Sequence, residues 1–87
     1  MKIEFDQAKD QANLAKHGVR LAAAQAFDWD TVLEREDNRF EYDEVRFVAI
    51  GFIGDHLFVL AFAEGSHDDA ISLRPAEKHE VRYYHAA

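Results

Sequence analysis

The sequence predicts an α+β fold: an antiparallel sheet of four to five strands, with two N-terminal helices and one C-terminal helix packed mainly on one face. Three features carry the prediction. Residues 47–53 and 57–63 are two apolar runs rich in branched and aromatic residues, joined by Gly54-Asp55, which is the signal of a hairpin with a two-residue turn. Helix signals precede and follow that hairpin, and the order strand, helix, helix, four strands, helix suits an antiparallel sheet covered by helices. Neither apolar run alternates cleanly with polar residues, so both faces of the ribbon are expected to be covered, one by helices and the other by a further layer or a partner chain.

The first strand is Lys2-Ile3-Glu4-Phe5, short and at an edge. Asp6 stops it and caps a helix from Gln7 to about His17, which Gly18 ends in a left-handed conformation, with Lys16 and His17 placed favourably against the helix dipole. Ala8, Ala12 and Ala15 form a narrow face suited to close approach to a sheet. A second short helix spans Leu21 to Phe27, with Leu21, Ala24 and Phe27 on one side. Trp29 and Val32-Leu33 belong to a second strand, and the charged run from Glu34 to Arg39 is its solvated end or a turn. After the hairpin, residues 65–69 make a polar turn and Ala70–Leu73 a last strand. Pro75 opens the final helix, which continues to about His85 and sets Arg74, Lys78 and Arg82 in one cationic stripe.

Eighty-seven residues, 48% of them hydrophobic and 31% charged, fit one globular domain over residues 1–87. No apolar stretch approaches the roughly 20 residues of a membrane span, the N-terminus is unlike a signal peptide, and cysteine is absent. The expectation is a cytoplasmic protein with no membrane partner. The net charge of −7 is concentrated centrally: residues 28–47 carry three Lys/Arg against eight Asp/Glu. Such a field opposes nonspecific nucleic-acid binding and favours a basic protein partner, leaving any RNA contact to the cationic groups of the two ends. No His pair at metal-binding helical spacing and no glycine-rich phosphate loop is present, so neither a metal nor another cofactor is expected.

Several stretches together resemble the BrnT-type ribonuclease toxins of bacterial type II toxin-antitoxin modules. The most specific are Phe5-Asp6 followed by Asn13-Leu14-Ala15-Lys16-His17-Gly18. Residues 44–51 resemble the middle of the family, and Ile71-Ser72-Leu73-Arg74 with Glu80 and Tyr84 resembles its end. The resemblance implies a RelE-like fold, metal-free RNA cleavage, and neutralisation by a ribbon-helix-helix antitoxin that reaches DNA on the pair's behalf. A homodimer is a further expected form. Three departures stand out. Ala63-Glu64-Gly65 replaces a Thr-x-Arg, Asp69 occupies the neighbourhood of an arginine, and Arg39-Phe40 replaces an Arg-His. Each lost cation would remove about 2–4 kcal/mol of transition-state stabilisation.

Metal-free cleavage needs a base for the 2′-hydroxyl, cationic donors for the phosphorane and an acid for the leaving oxygen. Arg46 and Arg74 are the candidate phosphate ligands, since guanidinium groups offer paired donors and stay charged. Glu80 or Glu44 is the candidate base, and His79 or His17 an acid or base. Lys16, His17, Lys78, Arg82 and Tyr84 are candidate RNA-binding residues, Tyr84 by stacking. Each has a plainer reading: Glu80 and Arg74 as a paired helix face, His17 as a dipole partner, Arg46 as a partner of Asp43 or Glu44, and the aromatics as core. Two functions follow, an antitoxin-controlled endoribonuclease and a catalytically impaired homologue acting as an antitoxin-binding co-repressor or interaction module.

Overall fold

The computed structural model describes residues 3–37, 45–63 and 68–87. Five strands, β1 (Ile3–Glu4), β2 (Leu33–Glu36), β3 (Arg46–Ile53), β4 (His56–Ala63) and β5 (Asp68–Pro75), form one sheet in the order β1-β5-β4-β3-β2. Strands β2 to β5 are antiparallel. β1 is the exception to the expected antiparallel arrangement, because it joins β5 in parallel through two residue pairs. The β3–β4 hairpin turns at Gly54, whose φ of 62° suits a residue without a Cβ.

Helix α1 (Gln7–His17) begins and ends where its caps dictate. The Asp6 carboxylate accepts the Lys9 N–H at 2.7 Å, and Gly18 closes the helix at φ 75° by donating to the Leu14 carbonyl. The following 3-10 helix (Leu21–Ala26) buries Leu21 and Ala24, with Phe27 behind it. Helix α2 (Lys78–Ala86) starts later than a Pro75 start implies. Pro75 ends β5, Glu77 is the N-cap, and Glu80 at the third helical position completes a capping box. Arg74 therefore stands on a strand, and only Lys78 and Arg82 of the expected stripe share the helix.

The helices do not gather on one face. Side chains alternate across a sheet, so Phe47, Ala49, Gly51, Leu60, Phe62 and Leu73 face one way and Val48, Ile50, Leu57, Val59 and Arg74 the other. The first set packs with Leu21 and Ala24 of the 3-10 helix and with Phe27 after it, while the second packs with Ala76 and with Val81 and Tyr84 of α2. Each face of the apolar hairpin is thus covered from within the chain. A bulge at Ile71, where Ala61 pairs with Ser72 but Phe62 with Ala70, lets Ala70 and Leu73 both enter the first core. Trp29 lies outside the strand predicted for it. It packs edge-on to Phe27 and Phe62 at 5.0 and 5.6 Å.

The face that α1 buries is polar. Ala8, Ala12 and Ala15 are exposed, and Asp10 and Asn13 are the buried positions. Asn13 imitates a strand residue at the β5 edge: its Oδ1 accepts the Leu73 N–H at 3.0 Å and its Nδ2 donates to the Leu73 carbonyl and the Val19 carbonyl, each at 2.7 Å. Asp10 accepts from the Arg20 guanidinium and the Ala22 N–H, tying α1 to the 3-10 helix. Burial pushes the Asp10 carboxyl upward, but the Arg20 hydrogen bonds, the Ala22 and Leu21 N–H groups and the Arg20 charge outweigh it and hold it below its ordinary value.

Candidate functional site

The face of the sheet under α2 carries the candidate site. Register places Leu33, Ile50, Val59 and Arg74 in one row across four strands, and Arg35, Val48, Ala61 and Ser72 in the next. Helix α2 covers part of this surface, held at one end by Ala76 donating to the Leu57 carbonyl at 3.0 Å. At the other, the Tyr84 hydroxyl donates to the Thr31 carbonyl at 2.7 Å. Between the helix and β2–β3 remains a groove of about 430 Å³, a size ordinary for small-ligand sites. Leu33, Val48 and Ile50 floor it, and Glu34, Arg35, His79, Glu80 and Tyr83 line its walls and rim.

Glu80 is fixed. Its two oxygens accept from the Arg74 Nη1 and Nη2 at 2.7 and 2.8 Å, and Oε1 also accepts the Glu77 N–H at 2.8 Å. The Arg74 hydrogen bonds lower its pKa. Desolvation opposes them, and the Glu77 N–H, the Arg74 charge and His79 add to the lowering, which leaves the carboxyl at about 2. A carboxylate so stabilised stays ionised near neutrality and is a weak base. Arg74 does not line the groove; it stands behind Glu80 with its charge matched.

His79 is exposed, with its Nδ1 at 3.6 Å from the Glu77 carboxylate. Arg35 is exposed and makes no ion pair or side-chain hydrogen bond among the described residues. Tyr83 presents an apolar ring at 59% exposure. The groove therefore offers a cation, an imidazole, the Glu34 and Glu80 carboxylates and an aromatic surface over an apolar floor. Arg35 and Tyr83 escaped sequence reasoning, Arg35 because it sits in a run that reads as a solvated turn. The alternation that begins at Leu33 was the signal that could have found it, since it sends Arg35 to the face of Val48.

The other expected residues are dispersed. Arg46 is half-buried on the same face of β3, two residues or about 7 Å along the strand from Val48. Lys78 and Arg82 are exposed on α2 but do not line the groove. Tyr84 is committed to structure through Thr31 and an edge-on contact with Phe52 at 5.5 Å. Lys16 and His17 end α1, which packs with β5 and the 3-10 helix rather than with α2, so they are not brought to the groove. Glu44, Asp43, Arg39-Phe40 and Gly65 lie outside the described residues, as does the Asp69 side chain. Among the described residues no three His, Asp or Glu side chains gather as a metal site, and no helix is long and apolar enough to cross a membrane.

A search of curated proteins finds no match to the chain. The family model described as the ribonuclease toxin BrnT of type II toxin-antitoxin systems matches residues 5–80, which span both α1 with its Asn13 and the Arg74–Glu80 pair. The chain belongs to the BrnT ribonuclease toxin family.

Proposed function

We propose that the chain is a type II toxin that cleaves RNA in the groove between β2–β3 and α2, without a metal ion, on a RelE-like fold. The observation that carries this reading is the convergence of Arg35, His79 and Tyr83 on one groove of nucleotide size. Tyr83 supplies a surface on which a nucleobase stacks. Arg35 supplies paired N–H donors to the scissile phosphate and to the charge that grows on it in the phosphorane, with Arg46 on the same face. His79 takes the 2′-hydroxyl proton as the oxygen attacks phosphorus. The imidazolium so formed gives that proton to the leaving 5′-oxygen, and the products are a 2′,3′-cyclic phosphate and a 5′-hydroxyl. The Arg74–Glu80 pair positions the N-terminal end of α2, and His79 with it, over the sheet. A ribbon-helix-helix antitoxin in the same cytoplasm neutralises the toxin and carries the pair to DNA.

The test is cleavage of end-labelled RNA in excess chelator by the wild type, Arg35→Ala and His79→Ala. Cleavage with cyclic phosphate ends, reduced about 10²-fold or more in each variant, is expected. Loss of wild-type activity on chelation, or unchanged variants, would overturn the assignment. One observation favours the second reading, a catalytically impaired antitoxin-binding chain: Glu80 matches the charge of Arg74, so that cation is not offered to a phosphate. That reading requires no cleavage by folded protein and harmless expression without antitoxin.

A further inference from the structure

The two long edges of the sheet are treated differently. On the β5 side, β1 pairs with Asp68 and Asp69, and Asn13 satisfies both backbone groups of Leu73, so added chain finds that edge occupied. On the other side β2 is terminal, and among the described residues no strand pairs with its outer edge. The ladder tells which groups are open. Asp37 donates its N–H to the Arg46 carbonyl at 2.8 Å and continues the β2–β3 register, so hydrogen-bonded positions alternate as Leu33, Arg35 and Asp37. The N–H and C=O groups of Glu34 and Glu36 therefore point outward. By strand alternation their side chains leave the sheet on the face away from Val48, with Glu34 also reaching the groove's rim, and both are exposed with no ion pair or side-chain hydrogen bond among the described residues.

We propose that β2 is the docking edge for an extended basic segment of the antitoxin, added as a sixth strand with Lys or Arg opposite Glu34 and Glu36. Charge complementarity selects this occupant. Asp30, on the approach to β2, adds to the field that a basic strand meets. A second copy of the chain, joined edge to edge with its faces continuous, would set Glu34 opposite Glu36 and Arg35 opposite Arg35, like charges against like. An RNA backbone meets the same acidic edge with its own negative charge. A strand added here extends the floor of the groove beyond Leu33 and Arg35 and places its groove-side residues across the mouth. Neutralisation by this strand rests on the groove being the RNA site, whereas binding of the strand does not.

The probe is a short peptide alternating lysine and valine, with a glutamate–valine counterpart and an N-methylated lysine peptide that cannot complete a ladder. Binding to the full chain is measured by fluorescence anisotropy, and amide exchange by NMR, both without RNA. The lysine peptide is expected to bind and to slow exchange at Glu34 and Glu36. N-methylation should weaken it about tenfold or more, and Glu34→Lys with Glu36→Lys should transfer preference to the glutamate peptide. Glu36→Pro removes an outward N–H while sparing the β2–β3 ladder, and should abolish binding with β3 exchange unchanged. Absence of binding, equal binding of both peptides, protection elsewhere, or protection at Glu34 and Glu36 from self-association alone would each overturn the proposal. A groove that fails to cleave RNA leaves these binding results standing.

Discussion

Replacing Glu80 with glutamine separates a positioning carboxylate from a catalytic one. The substitution keeps the shape and an acceptor for the Glu77 N–H but removes the charge that faces Arg74. A carboxyl moved from 4.5 to about 2 corresponds to at most about 3.5 kcal/mol, at ~1.4 kcal/mol per pH unit. Arg74 is 32% exposed and solvent screens its share, so about 1–2 kcal/mol is the discounted expectation. The sign follows from the lowered folded value: the stabilisation is present above the ordinary 4.5 and is lost as pH falls toward about 2. Urea unfolding of wild type and Glu80→Gln should therefore differ by about 1–2 kcal/mol near neutrality, and the gap should close on acidification. RNA cleavage by the folded variant should stay within about tenfold of wild type, because loss of a general base costs about 10²–10⁴. A stability gap that persists at the acid end, or an activity loss beyond about 10²-fold in folded protein, would contradict a purely positioning role for the Glu80 carboxylate.

Three further perturbations follow from the same contacts. Asn13→Ala strips partners from the Leu73 N–H and from two carbonyls, and at about 1 kcal/mol each should destabilise by about 2–4 kcal/mol in chemical denaturation, while Gln11→Ala on the exposed side changes little. Gly51→Ala would place a Cβ 2.8 Å from the Phe27 ring, so a loss of about 1–3 kcal/mol and a shifted Phe27 ring environment by NMR are expected. Tyr84→Phe loses the bond to Thr31 and should cost about 1 kcal/mol without changing RNA cleavage; a large activity loss would return Tyr84 to the site.

Local chemistry made much of the fold legible. Asp6 and Gly18 announced both ends of α1, and Gly54-Asp55 announced the hairpin, because caps and turns depend on a few residues close in sequence. The inward face of α1 was not legible. Periodicity assumes that a helix buries its apolar side, yet this one turns Asp10 and Asn13 inward to satisfy Arg20, a sheet edge and a loop carbonyl, partners defined only by the tertiary fold. The late start of α2 had a local signal in Glu77 and Glu80, overshadowed by Pro75. Of the site, His79 and the Arg74–Glu80 neighbourhood were visible. That Arg74 is matched by Glu80, while Arg35 faces the groove, depends on strand register, which single-sequence patterns leave open.

The groove's role is tested most directly by NMR titration of the full chain with a non-cleavable 2′-O-methyl RNA oligonucleotide. The largest changes are expected at Arg35, His79 and Tyr83, all lost in Arg35→Ala. Changes centred instead on Lys16 and His17 at the end of α1, with the groove unmoved, would contradict a role of the groove in RNA binding.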